Sequence, residues 1–294
     1  MRHKVDWSCK HDIFLRNPDG TLSPMDEPYF SAEQIAPGTW KILSAGDYSY
    51  LVEGEDEAVA IDTGYGAGNI REFLETLTDK PVRSVINTHS HFDHTAGNGY
   101  FDAAYMAEAA LPLATVPYRS FSGIDFIRDY RRIPVADGFV YPLRGRELEI
   151  FLIPDHTPDG IVILDRAQRI LFTGDEFMTR GKNLNVPLDV FRGYLQRLMA
   201  HRQEFDRLCA GAGVLPVELL EGYFACTEHI AAGNPGREVF VPAREGFVPE
   251  LTPPVIYDRI LPHPGDGGMG QPSPARAVRE MEYAGVKISY PAME

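Results

Sequence analysis

Short apolar runs separated by Gly and Asp begin at Trp40, directly after a polar segment that is rich in turn-forming residues. WKIL, YSYLVEG and EAVAID are rich in β-branched and aromatic residues, and this pattern predicts consecutive antiparallel strands. In the next segment, NIREFLETL, apolar residues recur at i, i+3, i+4 and i+7 behind Asn69, which predicts an amphipathic helix with that residue as its N-cap. VRSVIN then predicts a buried strand that leads directly into a polar loop.

The second half of the chain combines further strands with longer helices. ELEIFLIP, GIVILD and RILFTGD predict three more strands. PLDVFRGYLQRLMAHRQEFDRL predicts a long helix with one apolar face, and VELLEGYFACTEHIAAG predicts a second helix that ends near Gly233. AVREMEYAG predicts a short helix near the end of the chain. This order of elements predicts β-sheets sandwiched between helices.

The same patterns divide the chain into three segments. With 294 residues it is long for one average domain and short for two, so one large domain with appendages is expected. Residues 1–37 are interpreted as an N-terminal arm and residues 38–235 as the central domain. The Pro- and Gly-rich segment 236–294 is interpreted as a C-terminal extension that wraps over the domain or over a partner subunit.

Composition narrows the functional class. The chain is 44% hydrophobic and 24% charged, as expected of a globular protein. Its net charge of −14 disfavours binding to nucleic acid or to an anionic membrane surface. The chain lacks a run of about 18 apolar residues, so no transmembrane helix is expected, and the basic N-terminus lacks the apolar stretch of a secretory signal. Three widely spaced cysteines argue against a disulfide framework and favour a cytoplasmic location.

The sequence NTHSHFDHTAG places His89, His91, Asp93 and His94 on the loop that leaves a predicted buried strand. Two histidines at i and i+2 on an extended loop can direct both imidazoles towards one cation. Catalytic zinc sites typically use three protein ligands and a water, so His89 and His91 are predicted to be two such ligands. Asp93 and His94 are predicted to bind a second ion nearby. The alternative, a loop of solvated histidines, fits a single histidine better than it fits this cluster.

Distant residues are expected to complete the site. His156 follows the predicted strand ELEIFLI, and Asp175 ends the predicted strand RILFTGD, where its carboxylate can bridge two cations. Asp62 ends AVAIDTG in the same kind of position, and a role in orienting a ligand or fixing the turn is favoured for it. The histidines interpreted as ordinary polar residues are His3, His11, His201 and His229.

Taken together and in this order, AVAIDTG, INTHSHFDHTAG, PDHTPDG and ILFTGD resemble the metallo-β-lactamase superfamily of metal-dependent hydrolases over roughly residues 38–235. The resemblance implies an α/β fold, a four-layer αββα sandwich with the metal site at one edge of its two sheets. A histidine rather than a glutamate at position 91 favours the hydrolase branch over the flavin-linked di-iron branch. The implied ligands are His89, His91 and His156 for the first metal, Asp93 and His94 for the second, and Asp175 as the bridge.

One position departs from the family pattern. After the long helix the family usually carries a Pro-Gly-His-Gly turn whose histidine is the last ligand of the second metal, but LCAGAGVLPVE places Ala212 there. A methyl group cannot coordinate a cation. Three hypotheses follow: the second ion binds weakly, water or substrate fills the missing position, or His263 in the Pro/Gly-rich segment ILPHPGDGG supplies the ligand.

The expected activity is hydrolysis by water that divalent cations activate, with Asp93 as both ligand and catalytic proton acceptor. One or two zinc ions are the expected cofactor, and iron and manganese are alternatives. The expected partner is a small-molecule substrate, namely an ester, thioester or lactone. Two other hypotheses stay open, a mononuclear iron oxygenase of the same fold and a non-catalytic metal-binding protein.

Residues 112–140 form a predicted insertion that can overhang the pocket. Its arginines can bind a carboxylate or phosphate; alternatively, RDYRR is a solvated helix face or a dimer contact. A homodimer and a monomer are both compatible with the sequence. The aromatic residues expected to wall an apolar group are Tyr118, Phe121, Phe126 and Tyr130.

Overall fold

The structure is a computed structural model that describes residues 13–24, 30–44, 47–64, 68–114, 130–179, 181–243, 255–258 and 274–291. Its strands are, in chain order, β1 (Ile13–Arg16), β2 (Leu22–Pro24), β3 (Ser31–Ala36), β4 (Thr39–Ser44), β5 (Asp47–Glu53), β6 (Ala58–Ile61), β7 (Val82–Ile86), β8 (Ala103–Ala107), β9 (Arg131–Val135), β10 (Val140–Leu143), β11 (Arg146–Leu152), β12 (Ile161–Asp165), β13 (Ile170–Gly174), β14 (Lys182–Asn183), β15 (Arg207–Ala210), β16 (Gly213–Pro216), β17 (Arg237–Val241), β18 (Val255–Asp258), β19 (Arg276–Tyr283) and β20 (Val286–Pro291). The α-helices are α1 (Ile70–Leu74), α2 (Phe92–Thr95), α3 (Leu188–Ala200) and α4 (Glu218–Ala231). Within the described residues, no helix is both long and apolar enough to span a membrane.

Two large sheets form the body of the fold. The first has the order β3-β4-β5-β6-β7-β8-β9, and the second has the order β10-β11-β12-β13-β15-β16. The strands from β3 to β6 pair antiparallel, whereas β6, β7, β8 and β9 pair parallel. Two smaller sheets have the orders β14-β20-β19-β17 and β18-β1-β2, and the first of them packs against α4. The strands predicted from the apolar runs are confirmed.

Apolar side chains on both faces of the strands explain why the two sheets stack. Tyr50 and Val52 of β5 belong to a core between the sheets, together with Ile163 of β12, while Leu51 packs on the opposite face against α1. Successive side chains of a strand point to opposite faces, so a sheet that is covered on both sides buries all of them. All four residues of β6 are accordingly buried. With α1 and α2 outside one sheet and α3 and α4 outside the other, the predicted αββα sandwich is confirmed.

The helices follow the predicted patterns, but α1 and α3 are shorter than predicted, and α1 ends at Leu74 before the predicted Leu77. Asn69 caps α1 by accepting a hydrogen bond from the Glu72 N–H at 3.2 Å, and Gly233 ends α4 with a φ of 97°. In α3 the residues Phe191, Leu195 and Leu198 are buried, as the apolar face predicts. The helix ends at residue 200 rather than continuing to 208, because residues 207–210 form β15, which pairs parallel to β13.

Both ends of the chain contribute strands. β3 pairs with β4, so the first sheet begins before residue 38, inside the segment interpreted as an arm. The helix predicted in AVREMEYAG is wrong, because residues 276–283 form β19 and pair with β20 along their length. An isolated helix of that length is only marginally stable. Pairing with β20 instead satisfies the backbone hydrogen bonds of this segment, and it lets Val286 and Ile288 of β20 pack beside α4.

The insertion differs from its prediction where the structure describes it. Tyr130 is buried and its hydroxyl donates to the Ala114 carbonyl at 2.8 Å, so it belongs to the core of the first sheet and does not wall a pocket. Arg131 and Arg132 lie on the edge strand β9 and not on a helix. The predicted wall residues Tyr118, Phe121 and Phe126 lie outside the described residues.

Candidate metal centre

The predicted ligands lie together at one edge of the two sheets because several strands end there. β6 and β7 run parallel, so Asp62 after β6 lies beside the loop 87–91 after β7. In the second sheet β11 and β13 point the same way, which brings the loop with His156 next to Asp175. The carboxyl ends of like-directed strands form a common edge where loops carry functional groups. A hydrogen bond from the Ile161 N–H to the Thr88 carbonyl at 2.8 Å joins the two sheets there.

Three imidazoles form the first ligand set. His89, His91 and His156 each offer a ring nitrogen, and the three nitrogens lie within 4.8 Å of one another. His156 Nε2 is 3.3 Å from His91 Nδ1. Two nitrogens bound to one tetrahedral zinc at about 2.0–2.1 Å lie roughly 3.4 Å apart, so this spacing suits a shared cation. The structure therefore brings together the three histidines that the resemblance implies for the first metal.

A second set adjoins the first through Asp175. His94 Nε2 lies 3.8 Å from Asp93 Oδ2 and 3.5 Å from Asp175 Oδ1. The other oxygen of Asp175, Oδ2, lies 4.0 Å from His156 Nε2. One carboxylate thus presents an oxygen to each group of ligands. This is the placement that a bridging carboxylate requires.

Buried polar atoms without partners mark the same cluster. Among the described residues, His89 Nε2, His94 Nε2, Asp93 Oδ1 and Asp175 Oδ1 make no hydrogen bond although each is enclosed by protein. Buried polar atoms are nearly always hydrogen-bonded, and a group of exceptions calls for an explanation such as a bound ion. Imidazole nitrogen and carboxylate oxygen are ligands for zinc, iron and manganese. These residues therefore fit a divalent metal centre.

The ionisation of the histidines also suits a cation. Burial lowers the pKa of His89 well below its usual value, and the other histidines of the site lower it further. Burial and the charge of His94 lower the pKa of His91 to about 4, and burial is the main cause that lowers that of His156 to about 3. These three imidazoles are neutral at pH 7, so each keeps a nitrogen lone pair that a metal can accept.

His94 differs from the other histidines because carboxylates surround it. Burial by itself would lower the pKa of His94, but Asp62, Asp93 and Asp175 together raise it well above its usual value. Burial raises the pKa of Asp93, whereas the neighbouring histidines, led by His94, hold the pKa of Asp175 below its usual range. Three carboxylates thus face one buried imidazole, an arrangement that a bound cation would stabilise.

Asp62 is placed to orient His94. Its Oδ2 lies 2.9 Å from His94 Nδ1 and accepts a hydrogen bond from the Thr88 hydroxyl at 2.6 Å, while its Oδ1 accepts the Thr88 N–H at 2.8 Å. When Nδ1 of a histidine donates to a carboxylate, Nε2 is left as the metal ligand. The backbone of Asp62 has a φ of 59°, an uncommon conformation outside glycine that the surrounding contacts hold in place. These contacts match the orienting role that the sequence favours for Asp62.

Replacing Asp62 with asparagine should weaken metal binding about 10- to 100-fold, the usual effect of losing a carboxylate that supports a ligating histidine. The side chain keeps its size but loses the charge and one acceptor for Thr88. Titration of metal into metal-free protein measures the effect. Asp206→Asn, which changes an exposed aspartate paired with Arg169, is the control and should leave the affinity unchanged. Equal affinities for the two variants would contradict the orienting role.

The structure adds residues that sequence reasoning missed. Thr88 bonds Asp62 and lies 3.1 Å from His89 Nδ1 through its hydroxyl. Asp47 offers an oxygen within 4.8 Å of the ligand atoms of Asp93 and His94. Thr88 could have been noticed as part of the motif THSHFDH, but Asp47 is the first residue of β5, far from that motif in the sequence, and carries no local signal.

A buried ion-pair network supports the loop of His156. Lys182 Nζ lies 2.8 Å from Asp155 Oδ2 and 2.7 Å from Glu176 Oε1, and all three side chains are buried. Glu176 Oε2 also accepts the His156 N–H at 3.0 Å. This network links Asp155, which precedes His156, to Glu176, which follows Asp175. It therefore fixes the distance between the predicted ligands His156 and Asp175.

Four further positions were considered in the sequence, namely Ala212, His201, His229 and His263. Ala212 is exposed between Gly211 and Gly213, and His263 lies outside the described residues. Gly211 packs so closely that a Cβ there would overlap Asp175 Oδ1. His201 lies 3.1 Å from Glu204, and the ring of His229 stacks on that of Tyr283 at 4.0 Å between centroids. His201 and His229 therefore have structural partners away from the centre.

Comparison with known sequences decides the family. A sequence model of the metallo-beta-lactamase superfamily matches residues 46–208, a span that contains every predicted ligand. The chain belongs to the metallo-β-lactamase superfamily. Among solved structures, a metallo-beta-lactamase from Erythrobacter litoralis matches with a TM-score of 0.53 and 18% identity, covering 68% of this chain and 97% of that one. At this identity the likeness concerns the fold.

Curated proteins are similar to this chain over part of their length. Atrochrysone carboxyl ACP thioesterase AgnL7 of Paecilomyces divaricatus is 26% identical over 204 residues, which make up 66% of this chain and 60% of that protein. Acyl-coenzyme A thioesterase MBLAC2 of Bos taurus is 32% identical over 157 residues, or 43% of this chain and 56% of that protein. The chain thus spans about 60% of the length of the curated relatives that it matches.

Proposed function

We propose that this protein is a metal-dependent hydrolase of acyl thioesters, with one or two zinc ions at the centre. The observation that carries the proposal is the pair of adjoining ligand sets, the three histidines and the group around His94, which share Asp175. The thioester class is supported by two superfamily relatives that are named as thioesterases. Because the chain covers only part of those proteins, the substrate class is an inference from similarity.

The residues of the centre take distinct roles in this proposal. His89, His91 and His156 would hold one cation, Asp93 and His94 the other, and Asp175 would contact both. Bound divalent cations supply Lewis-acid chemistry, lowering the pKa of water towards neutrality and polarising a carbonyl oxygen. Asp93 has two carboxylate oxygens, so one could contact the cation while the other accepts the proton of an attacking water.

A cleft beside the centre suits the acyl part of the substrate. It encloses about 750 Å³, and one wall is the loop that carries His156, represented by Pro154, Pro158 and Asp159. Asp159 Oδ1 accepts a hydrogen bond from the Ser90 hydroxyl at 3.2 Å, which links that wall to the loop of His89 and His91. Ligand pockets of this size are mostly apolar with a few polar groups. The described lining consists mainly of Pro, Ala, Val and Leu, without a basic residue, and it favours an acyl chain over a phosphate.

A substrate panel tests the proposed function. Protein stripped with a chelator and reloaded with zinc should cleave acyl-coenzyme A thioesters with a kcat on the order of 1–10³ s⁻¹, the common range for enzymes. Activity should depend on acyl chain length, because the cleft accepts that part of the substrate. Thiol release measures the reaction for acetyl, hexanoyl and decanoyl thioesters. The matching oxyesters, a lactone and a phosphodiester serve as comparisons, and chelator-treated protein is the control.

The possible results separate the hypotheses. Zinc-dependent thiol release with little phosphodiester cleavage supports the proposal. If the protein cleaves only the oxyester or the lactone, its substrate is another carbonyl compound and not a thioester. If zinc-loaded protein cleaves none of them, hydrolysis of these substrates is refuted. One equivalent of iron together with thiol-dependent oxygen uptake would instead support the oxygenase.

A further inference from the structure

Asp47 lies at the metal centre because of strand direction. It is the first residue of β5, and β5 pairs antiparallel to β6, so the start of β5 lies at the edge where β6 ends in Asp62. The adjoining Tyr48 N–H donates to the Gly211 carbonyl at 2.9 Å. This hydrogen bond holds the start of β5 against the turn that contains Ala212. Asp47 therefore lies beside the turn that lacks the expected histidine ligand.

The side chain of Asp47 is within reach of the second ligand set. One of its oxygens, an oxygen of Asp93 and a nitrogen of His94 all lie within 4.8 Å of one another. Ligands opposite each other around one cation, at about 2.1–2.6 Å from it, are roughly 4.2–5.2 Å apart, so this spread is compatible with one ion. Asp47 itself is half-buried, whereas Asp93 and His94 are 2% and 1% exposed.

Two further observations point to a cation among these residues. Asp93 Oδ1 and His94 Nε2 are buried and make no hydrogen bond within the described part of the chain. The carboxylates of Asp47, Asp93 and Asp175 also gather around one imidazole, and buried like charges are unfavourable unless a cation offsets them. A cation at this position would satisfy both the unpartnered atoms and the charge.

We propose that Asp47 is a ligand of the second cation and takes the place of the histidine that Ala212 replaces. The proposal rests on the metal-dependent function proposed above. It makes the second set oxygen-rich, with Asp47, Asp93 and Asp175 beside a single histidine, while the first set is rich in imidazole. Carboxylate ligands suit manganese, and imidazole suits zinc. The two sites should therefore differ in metal preference.

Manganese binding to the protein preloaded with one equivalent of zinc tests this proposal. Wild-type protein should bind one equivalent of Mn²⁺, measured by electron paramagnetic resonance, and Asp47→Asn should bind it at least about tenfold more weakly, since 1.4 kcal/mol of lost ligand energy is a factor of ten. Asp56→Asn is the matched control, because Asp56 is an exposed aspartate paired with Arg144 away from the centre. The control should bind manganese as the wild type does.

Melting temperatures distinguish a ligand from a structural residue. The melting temperature of metal-free Asp47→Asn serves as its own reference, and manganese should raise it little. The variant should lose the increase in melting temperature that manganese confers on the wild type. Asp47→Ala provides a second variant with the same expectations if Asp47→Asn does not fold.

Three results would overturn the proposal. Asp47→Asn with wild-type manganese affinity would show that Asp47 is not a ligand, and so would a wild-type increase in its melting temperature on addition of manganese. Wild-type protein that binds zinc and hydrolyses thioesters but takes up no second cation would also refute it, while leaving the proposed function intact. Protein that neither binds metal nor hydrolyses any substrate would instead refute the proposed function.

Discussion

Of all single substitutions, His89→Ala should cause the largest loss of metal binding and hydrolytic activity. His89 belongs to the first ligand set, and its ligand nitrogen also lies within 4.8 Å of ligand atoms of His94 and Asp175. Its ring centroid lies 4.6 Å from that of His91, 5.0 Å from that of His156 and 4.1 Å from that of His94. A catalytic cation contributes several kcal/mol to a hydrolytic transition state. Since about 1.4 kcal/mol is a factor of ten, we expect kcat/KM for a thioester to fall roughly 10³-fold or more.

Metal content should fall with the activity. Elemental analysis of purified His89→Ala should give less than half the metal of the wild type, because the lost nitrogen serves the first ligand set and adjoins the second. His201→Ala is the matched control, since His201 lies outside the centre and contacts Glu204 and Phe151. If His89→Ala kept both its metal and its turnover while folded, these residues would not form the catalytic centre.

Replacing Arg146 with methionine should lower the free energy of unfolding by about 3–5 kcal/mol, the usual cost of leaving a buried charge without its partner. Arg146 lies on β11 and forms an ion pair with Asp165, whose side chain is fully buried. The same guanidinium donates to the Gly38 carbonyl at 2.9 Å and to the Thr39 hydroxyl at 2.6 Å, both in the first sheet. The variant therefore loses an ion pair and a connection between the two sheets.

Urea unfolding at constant pH measures this loss as a shift of the midpoint with an unchanged slope. Arg144→Met is the control, because Arg144 is exposed in its pair with Asp56 and surface pairs contribute only about 0–1 kcal/mol. Adding Asp165→Asn to Arg146→Met should recover part of the stability, because it removes the unpaired charge. Equal midpoints for Arg146→Met and Arg144→Met would show that burial does not make the pair important.

Local pattern was sufficient to predict most of the architecture. The strands around YSYLVEG and AVAID, the N-cap Asn69 and the apolar face of α3 all depend on residues within a few positions of one another. The predictions failed where pairing with a distant strand competes with the local preference for a helix. AVREMEYAG forms β19 because β20 and β17 pair with it, and α3 stops early because β15 pairs with β13.

The predicted ligands His89, His91, Asp93 and His94 are detectable in sequence because a single loop carries all of them. Their distant complements were predicted because His156 and Asp175 follow apolar strands, and the structure places both beside that loop. Asp47 was missed because it starts a strand instead of ending one. Only the antiparallel pairing of β5 with β6 brings it to the same edge.

The sequence by itself therefore determined the element types, the superfamily motif and six candidate ligands, because these depend on short-range periodicity and spacing. Tertiary structure alone decided that Asp62 holds His94, that Lys182 and Glu176 support the loop of His156, and that Asp47 faces the second ligand set. Those placements arise from strand order and direction, and backbone pairing sets them across separations that a local pattern does not encode.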